Sequence, residues 1–153
     1  MPKRHSRSKI EAVVLIAIFV VSSVMSDIAA RADDKSKHGP IPWIESLPDG
    51  LKKAQKAKQI VFVDFWAEWC VPCKRMLKTT YVDPKVVARA KKFVPVLLNA
   101  DKSKDITGKY KIEAIPVVLF LDTKGKVLAR GDGYMNADKM LKLMDEAEKK
   151  AKG

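Results

Sequence analysis

The sequence predicts a small α/β domain in which a mixed β-sheet of four to five strands carries helices on both faces. Three short, almost uniformly apolar segments at 60–66, 93–99 and 115–121 have the length and composition of buried strands. Helical segments separate them, so the first two strands should pair in parallel through right-handed crossovers. A turn at 122–125 leads to a fourth strand at 126–130, and these last two strands should form an antiparallel hairpin.

Helices are expected before, between and after the strands. They cover about 49–58, 73–79, 84–92, 104–110 and 136–150. The helix at 84–92 starts with Asp83 as its N-cap and Pro84 in its first turn, two residue types that favour a helix start. In the last helix, apolar residues that include Met140 and Leu143 line one face and lysines line the other, which is typical of a helix that packs onto a sheet.

The composition is that of an ordinary globular protein. Of 153 residues, 47% are hydrophobic and 31% are charged, which excludes long disorder, collagen and low complexity. Two cysteines are too few for a disulfide-rich mini-protein or an all-cysteine zinc site. The net charge of +12 falls to +9 without 1–32. The simplest interpretation is a solvated face, and the alternative is a basic face that favours acidic partners or anionic lipid. We expect no nucleic-acid binding, since no such motif occurs.

The first 32 residues have the pattern of a signal peptide. Four Lys or Arg residues precede the apolar run at 12–25, whose fourteen residues fall short of the roughly 20 that span a bilayer. Ala30-Arg31-Ala32 supplies the small residues of a cleavage site, so we expect cleavage after Ala32; the alternative is an uncleaved anchor at 1–32. Either interpretation implies export to an oxidising compartment, such as a bacterial periplasm. A flexible leader is expected at 33–44 and the folded domain at 45–153.

The motif WCVPCK at 69–74 carries the predicted chemistry. It lies where a buried strand passes into a helix, so the two sulfurs can approach and cycle between dithiol and disulfide. The N–H groups and the dipole at the helix start stabilise a thiolate at Cys70, so Cys70 should attack. Cys73, one turn further in and less exposed, should resolve the mixed disulfide. We expect no metal and no cofactor beyond the redox-active Cys70–Cys73 disulfide.

Three other uses of a cysteine pair compete with redox exchange. A zinc site needs two more ligands, and beyond the expected signal peptide the chain offers only His38. Haem attachment requires a histidine directly after the second cysteine, where this chain has Lys74. A purely structural disulfide would close a very short loop and stabilise the fold little. The structural disulfide is the alternative that the sequence leaves open.

Two polar or special residues interrupt the apolar strands. Asp64 places a carboxylate within a buried strand, where its charge is unfavourable, and it precedes the first cysteine by six residues. We interpret Asp64 as an acid/base of raised pKa that exchanges a proton with the second cysteine. The alternative is an aspartate at a strand edge that pairs with Lys58 or Lys74. Pro116 follows Ile115 at the start of the third strand, where we expect a special turn with a cis bond.

These segments resemble the thioredoxin family. VFVDFWAEWCVPCK at 61–74 is similar to the family's active-site strand and helix, and Ala114-Ile115-Pro116 is similar to its cis-proline loop. Gly125 and Gly133 match the glycines of its hairpin turn and of the approach to its last helix. The resemblance covers about 45–150 and implies a thioredoxin fold.

Within this superfamily the chain resembles the C-terminal periplasmic domain of DsbD-type thiol:disulfide interchange proteins. The shared features are WCVPCK, the aromatic-x-Asp-Pro stretch that starts at Tyr81, and Gly133-Tyr134-Met135. Leu97 occupies the position where cytoplasmic thioredoxins carry a buried lysine, which leaves less charge compensation for Asp64.

The resemblance implies a role for each matching residue. Cys70 is the nucleophile, Cys73 the resolving thiol and Asp64 the buried carboxylate. Trp66 and Trp69 flank the site. The implied substrate-binding residues are Trp69, Val71, Pro72, Ile115 and Pro116, with the Ile115 backbone hydrogen-bonded to an extended substrate.

We therefore expect a monomeric, exported thiol:disulfide oxidoreductase that reduces or isomerises disulfides of other exported proteins. Electrons should come from a separate membrane thiol relay. One alternative is a thiol reductant for cytochrome c maturation, but the sequence has no room for that family's acidic insertion and longer N-terminal hairpin. Another is a non-catalytic interaction module, which the intact C-x-x-C, Asp64 and Pro116 disfavour.

Overall fold

A four-stranded mixed sheet organises residues 38–153, the part of the chain that the computed structural model describes. The strands are β1 (Val61–Trp66), β2 (Val94–Asn99), β3 (Val117–Leu121) and β4 (Val127–Asp132). They lie in the order β2-β1-β3-β4, with β1 and β2 parallel and the other two pairs antiparallel. The predicted parallel pairing and the terminal hairpin are thereby confirmed. The expected signal peptide at 1–32 and its cleavage site lie outside the described residues.

Helices cover both faces of this sheet, as predicted. They are α1 (Leu47–Ala57), α2 (Val71–Thr79), α3 (Pro84–Ala90), α4 (Lys104–Lys109) and α5 (Ala137–Ala151). The α3 N-cap is Asp83, whose Oδ1 accepts from the backbone N–H of Lys85 at 2.9 Å and of Val86 at 3.3 Å. Within 38–153, no helix is long and apolar enough to cross a membrane.

Helix α2 starts at Val71, two residues earlier than predicted. Cys70 is its N-cap, and the Cys70 Sγ accepts the backbone N–H of Cys73 at 3.3 Å. Pro72 fits the first turn because a backbone donor is not required there. The helix therefore begins directly after the first cysteine.

The central strand β1 is buried along its whole length and has a neighbour on each side. Its side chains alternate between the two faces of the sheet. Phe65 belongs to the apolar cluster beneath α1, and Phe62 to the cluster beneath α3 and α5. Asp64 lies between Leu97 of β2 and Val118 of β3 in the strand register. Asp64 is therefore in the middle of the sheet rather than at an edge.

The described part of the expected leader packs against the domain. Ile41 is only 1% exposed, and the half-buried Trp43 packs against the aromatic core. The Ile44 N–H donates to the Pro95 carbonyl at 3.0 Å, and its carbonyl accepts the Leu97 N–H at 2.9 Å. The structure thus differs here from the expected flexible leader, because burial of large apolar side chains and bridging to β2 stabilise the docked segment.

Candidate functional site

Cys70 and Cys73 form a disulfide at the N-terminus of α2, with their Cα atoms 5.3 Å apart. Cys70 is 2% exposed and Cys73 is 0% exposed, so the expected difference in exposure is small. The first turn of α2 contains no acidic residue. The free N–H groups and the helix dipole therefore favour a thiolate at Cys70 once the disulfide is reduced.

An apolar cluster surrounds the two sulfurs. Trp66, Ala67 and Leu97 are its other buried members, and Ile115 packs against it from the adjoining loop. The Leu97 side chain occupies the strand position directly opposite Asp64. The side chains around the cysteines thus do little to stabilise a charged group. The N-terminus of α2 is therefore the main group that stabilises a thiolate at Cys70.

Asp64 is fully buried on β1. Neither carboxylate oxygen has a hydrogen-bond partner among the described residues. Burial raises the pKa of Asp64 from 3.8 to about 7, although the neighbouring Tyr81 hydroxyl opposes this rise. Lys58 and Lys74 are both exposed, so the alternative of an edge aspartate paired with a lysine is wrong. A carboxyl group with this pKa can accept and release a proton near neutral pH.

Tyr81 is the residue of this region that the sequence analysis did not single out as functional. It lies two residues after the end of α2 and is fully buried, and its hydroxyl has no hydrogen-bond partner within residues 38–153. Its ring centroid lies 5.8 Å from that of Phe62 and 5.1 Å from that of Trp43. Burial and the neighbouring Asp64 carboxylate raise the pKa of Tyr81 well above its usual range. An aromatic residue in a short link between two helices was the available signal.

The loop before β3 reaches the same end of the sheet as the cysteines. Phe65 of β1 pairs with Val117 of β3, so the residues before Val117 lie beside the end of β1. The Ile115–Pro116 peptide bond is cis, as the sequence predicts. Ile115 packs against the cluster that contains both cysteines. The structure thus brings the predicted proline loop next to the disulfide.

Exposed apolar side chains and shallow depressions surround the place where the loop at Ile115–Pro116 meets the Cys70–Cys73 disulfide. Trp69 is 65% exposed and Val71 is 72% exposed, whereas Pro72 is partly buried. The Trp69 Nε1 donates to Asp101 Oδ2 at 2.9 Å, which fixes the orientation of the indole. A depression of about 130 Å³ lies between Trp69 and Ile115. A second, of about 250 Å³, lies along Pro116 on the side of β4.

Acidic, histidine and cysteine side chains do not assemble into a metal site within the described residues. No group of three such side chains in 38–153 is arranged so that it could hold an ion.

Comparison with known proteins identifies the domain. The thioredoxin-like domain family matches residues 47–148. The thiol:disulfide interchange protein DsbD of Vibrio vulnificus is 36% identical over an alignment of 102 residues, and the match covers 61% of this chain and 17% of that protein. The chain thus corresponds to less than a fifth of that relative's length.

Solved structures show the same fold. A thioredoxin from Thermus thermophilus superposes with a TM-score of 0.66 at 23% identity, over 73% of this chain and 91% of that one. The oxidised C-terminal domain of DsbD from Neisseria meningitidis gives a TM-score of 0.58 at 20% identity, over 71% and 98%. With its fold and its matched residues in agreement, the chain belongs to the thioredoxin-like domain family.

Proposed function

We propose that this protein is an exported thiol:disulfide oxidoreductase that reduces or isomerises disulfides of other exported proteins. The observation that supports this most strongly is the Cys70–Cys73 pair at the N-terminus of α2, close to exposed Trp69 and Val71. A similar protein is named a thiol:disulfide interchange protein, which supports the same reaction class.

In the first step the Cys70 thiolate attacks one sulfur of a substrate disulfide. The Cys70–substrate S–S bond forms and the substrate S–S bond breaks, and the released substrate thiolate takes a proton from water. Cys70 is suited to this role because the α2 N-terminus lies at its sulfur, with the Cys73 N–H 3.3 Å away.

In the second step Cys73 resolves the mixed disulfide. Its thiol transfers a proton to the Asp64 carboxylate, and the resulting thiolate attacks the Sγ of Cys70. The Cys70–Cys73 bond forms, and the second substrate thiolate leaves and takes up a proton. Asp64 suits this exchange because burial raises its pKa to about 7, close to neutral pH.

The substrate segment lies in an extended conformation where the loop that leads into α2 meets the loop at Ile115–Pro116. Trp69, Val71, Pro72, Ile115 and Pro116 form the surface on which it binds. The depressions beside Ile115 and Pro116 accommodate its side chains, and the Ile115 backbone hydrogen-bonds to its main chain. Because Cys70 is only 2% exposed, binding on this surface must bring the substrate sulfur directly to the Cys70 Sγ.

Export and electron supply complete the proposal. Residues 1–32 direct the chain to the periplasm as a signal peptide or as an uncleaved anchor, and 45–153 form the working domain. One dithiol holds one electron pair, so each turnover of a reductase requires re-reduction by a membrane thiol relay that exchanges with Cys70.

The test is the redox state of the cysteines in cells of the source organism, read by rapid acid quenching and thiol alkylation. A reductase or isomerase is kept mostly dithiol and becomes oxidised when the membrane relay is deleted. A pair that remains disulfide in normal cells would contradict the proposal. The Cys73→Ser variant, denatured and fully reduced before alkylation, provides the standard for one free thiol.

A further inference from the structure

A group of buried polar atoms lies together on one face of β1. Asp64 and Tyr81 are both fully buried, and the carboxylate oxygens and the phenol oxygen lack a hydrogen-bond partner within residues 38–153. The Trp43 Nε1, on a ring 5.1 Å from that of Tyr81, is also without a partner there. Buried polar groups are normally hydrogen-bonded, so such a concentration at one place requires an explanation.

The position of Tyr81 is tightly fixed. Its backbone N–H donates to the Met76 carbonyl at 3.0 Å, at the end of α2. The preceding residue, Thr80, is fully buried, and its Oγ1 donates to the Met135 carbonyl at 2.6 Å. The rings of Phe62 and Trp43 hold the phenol edge to face. The phenol is therefore held against Phe62, on the face of β1 that also carries Asp64 two residues further along the strand.

We propose that Tyr81 is a positioning residue, whose hydroxyl donates a hydrogen bond to the Asp64 carboxylate when Asp64 is ionised and thereby sets the proton affinity of Asp64. A phenol is a suitable donor in this place because it remains protonated at neutral pH and adds no second charge to an apolar core. The inference deepens the proposed function and rests on it for the role of Asp64 in catalysis.

Among the described residues, no other side chain is placed to donate a hydrogen bond to the Asp64 carboxylate. Its strand neighbours are Leu97 and Val118, and both are apolar. Among the described residues, Tyr81 is the titratable group that acts on the Asp64 carboxyl, and Lys58 and Lys74 are exposed. In the absence of a buried cation among the described residues, the phenol is what opposes the effect of burial on the Asp64 carboxylate.

The consequence for the reaction concerns the resolving step. Asp64 must be ionised to take the Cys73 proton, and burial alone would keep it protonated at neutral pH. A hydrogen bond from Tyr81 to the ionised form lowers its proton affinity, so a larger fraction of the enzyme carries a carboxylate that can accept the proton.

The test is a ¹³C NMR titration of the aspartate carboxyl carbons in the oxidised protein, in which the cysteines do not titrate. The Asp64 signal is assigned by its loss in Asp64→Asn. In Tyr81→Phe we expect the Asp64 midpoint to rise by about one pH unit, a tenfold gain in proton affinity. The control is Tyr110→Phe, which removes a buried hydroxyl that donates to the Gly125 carbonyl at 3.0 Å, away from Asp64, and should leave the midpoint unchanged.

An unchanged Asp64 midpoint in folded Tyr81→Phe would overturn the inference. If that variant does not fold, 3-fluorotyrosine at position 81, a stronger donor of the same shape, must lower the midpoint instead, and no shift would overturn it. The pH profile of the resolving step, followed in single turnover, should move upward with the midpoint in Tyr81→Phe. A shifted midpoint with an unshifted profile would leave the Tyr81–Asp64 contact in place and would refute the acid/base role of Asp64 in the proposed function.

Discussion

Replacement of Asp64 by asparagine should change how the stability of the domain depends on pH. In the folded protein burial raises the pKa of this carboxyl from 3.8 to about 7. Between these two pH values the folded state holds a proton that the unfolded state has released, so the wild type loses stability as pH rises. A difference of about three pKa units corresponds to roughly 4 kcal/mol, and the group is fully buried, so solvent screening does not reduce it.

An asparagine side chain cannot ionise, so the Asp64→Asn variant lacks this term while it keeps the shape of the side chain. Its stability relative to the wild type should increase by roughly 4 kcal/mol between pH 4 and pH 8. The assay is urea unfolding of both oxidised proteins at several pH values, with the exposed Glu45→Gln as the matched carboxylate-to-amide control. Parallel stability profiles for Asp64→Asn and the wild type would refute the reasoning.

Three further predictions concern catalysis and packing. Cys70→Ser should abolish disulfide reduction, whereas Cys73→Ser should accumulate mixed disulfides through Cys70, as mass spectrometry of trapped complexes would show; trapping through Cys73 in Cys70→Ser would reverse the roles. Gly50→Ala should destabilise the domain by about 1–3 kcal/mol, because the new methyl group would overlap the Val96 side chain where α1 meets β2. Gly108→Ala in α4, where a methyl group meets open space, should instead stabilise it by about 0.5–1 kcal/mol, as urea unfolding would measure.

Periodicity and end signals predicted the elements of this fold to within two residues at each boundary. The strands were recognisable because each is a short apolar run, and Asp83 with Pro84 marked the start of α3. The start of α2 was predicted two residues late, because a cysteine is not among the usual N-cap residues and its sulfur serves as the cap here. Such a cap depends on the local backbone and has no signature in the sequence.

The candidate site could be predicted in part. The cysteine motif, Asp64 and Pro116 stood out because each is chemically unusual in its local segment. Tyr81 did not, because its importance depends on a contact between the end of α2 and the middle of β1. The docking of Ile41 and Trp43 was missed for a similar reason, since the polar and Pro/Gly residues around them favour a loop. Local sequence patterns thus do not predict contacts between segments that are far apart in the chain, and both of these features depend on such contacts.

The central claim is that Cys70–Cys73 is an exchanging redox pair rather than a structural disulfide. It is tested most directly by equilibrating the protein with glutathione buffers of graded redox ratio and quantifying the two thiols by alkylation. The account predicts a reversible transition at a potential between roughly −120 and −270 mV, the range of thioredoxin-fold exchange proteins. A disulfide that resists reduction until below about −300 mV, as structural disulfides do, would contradict it.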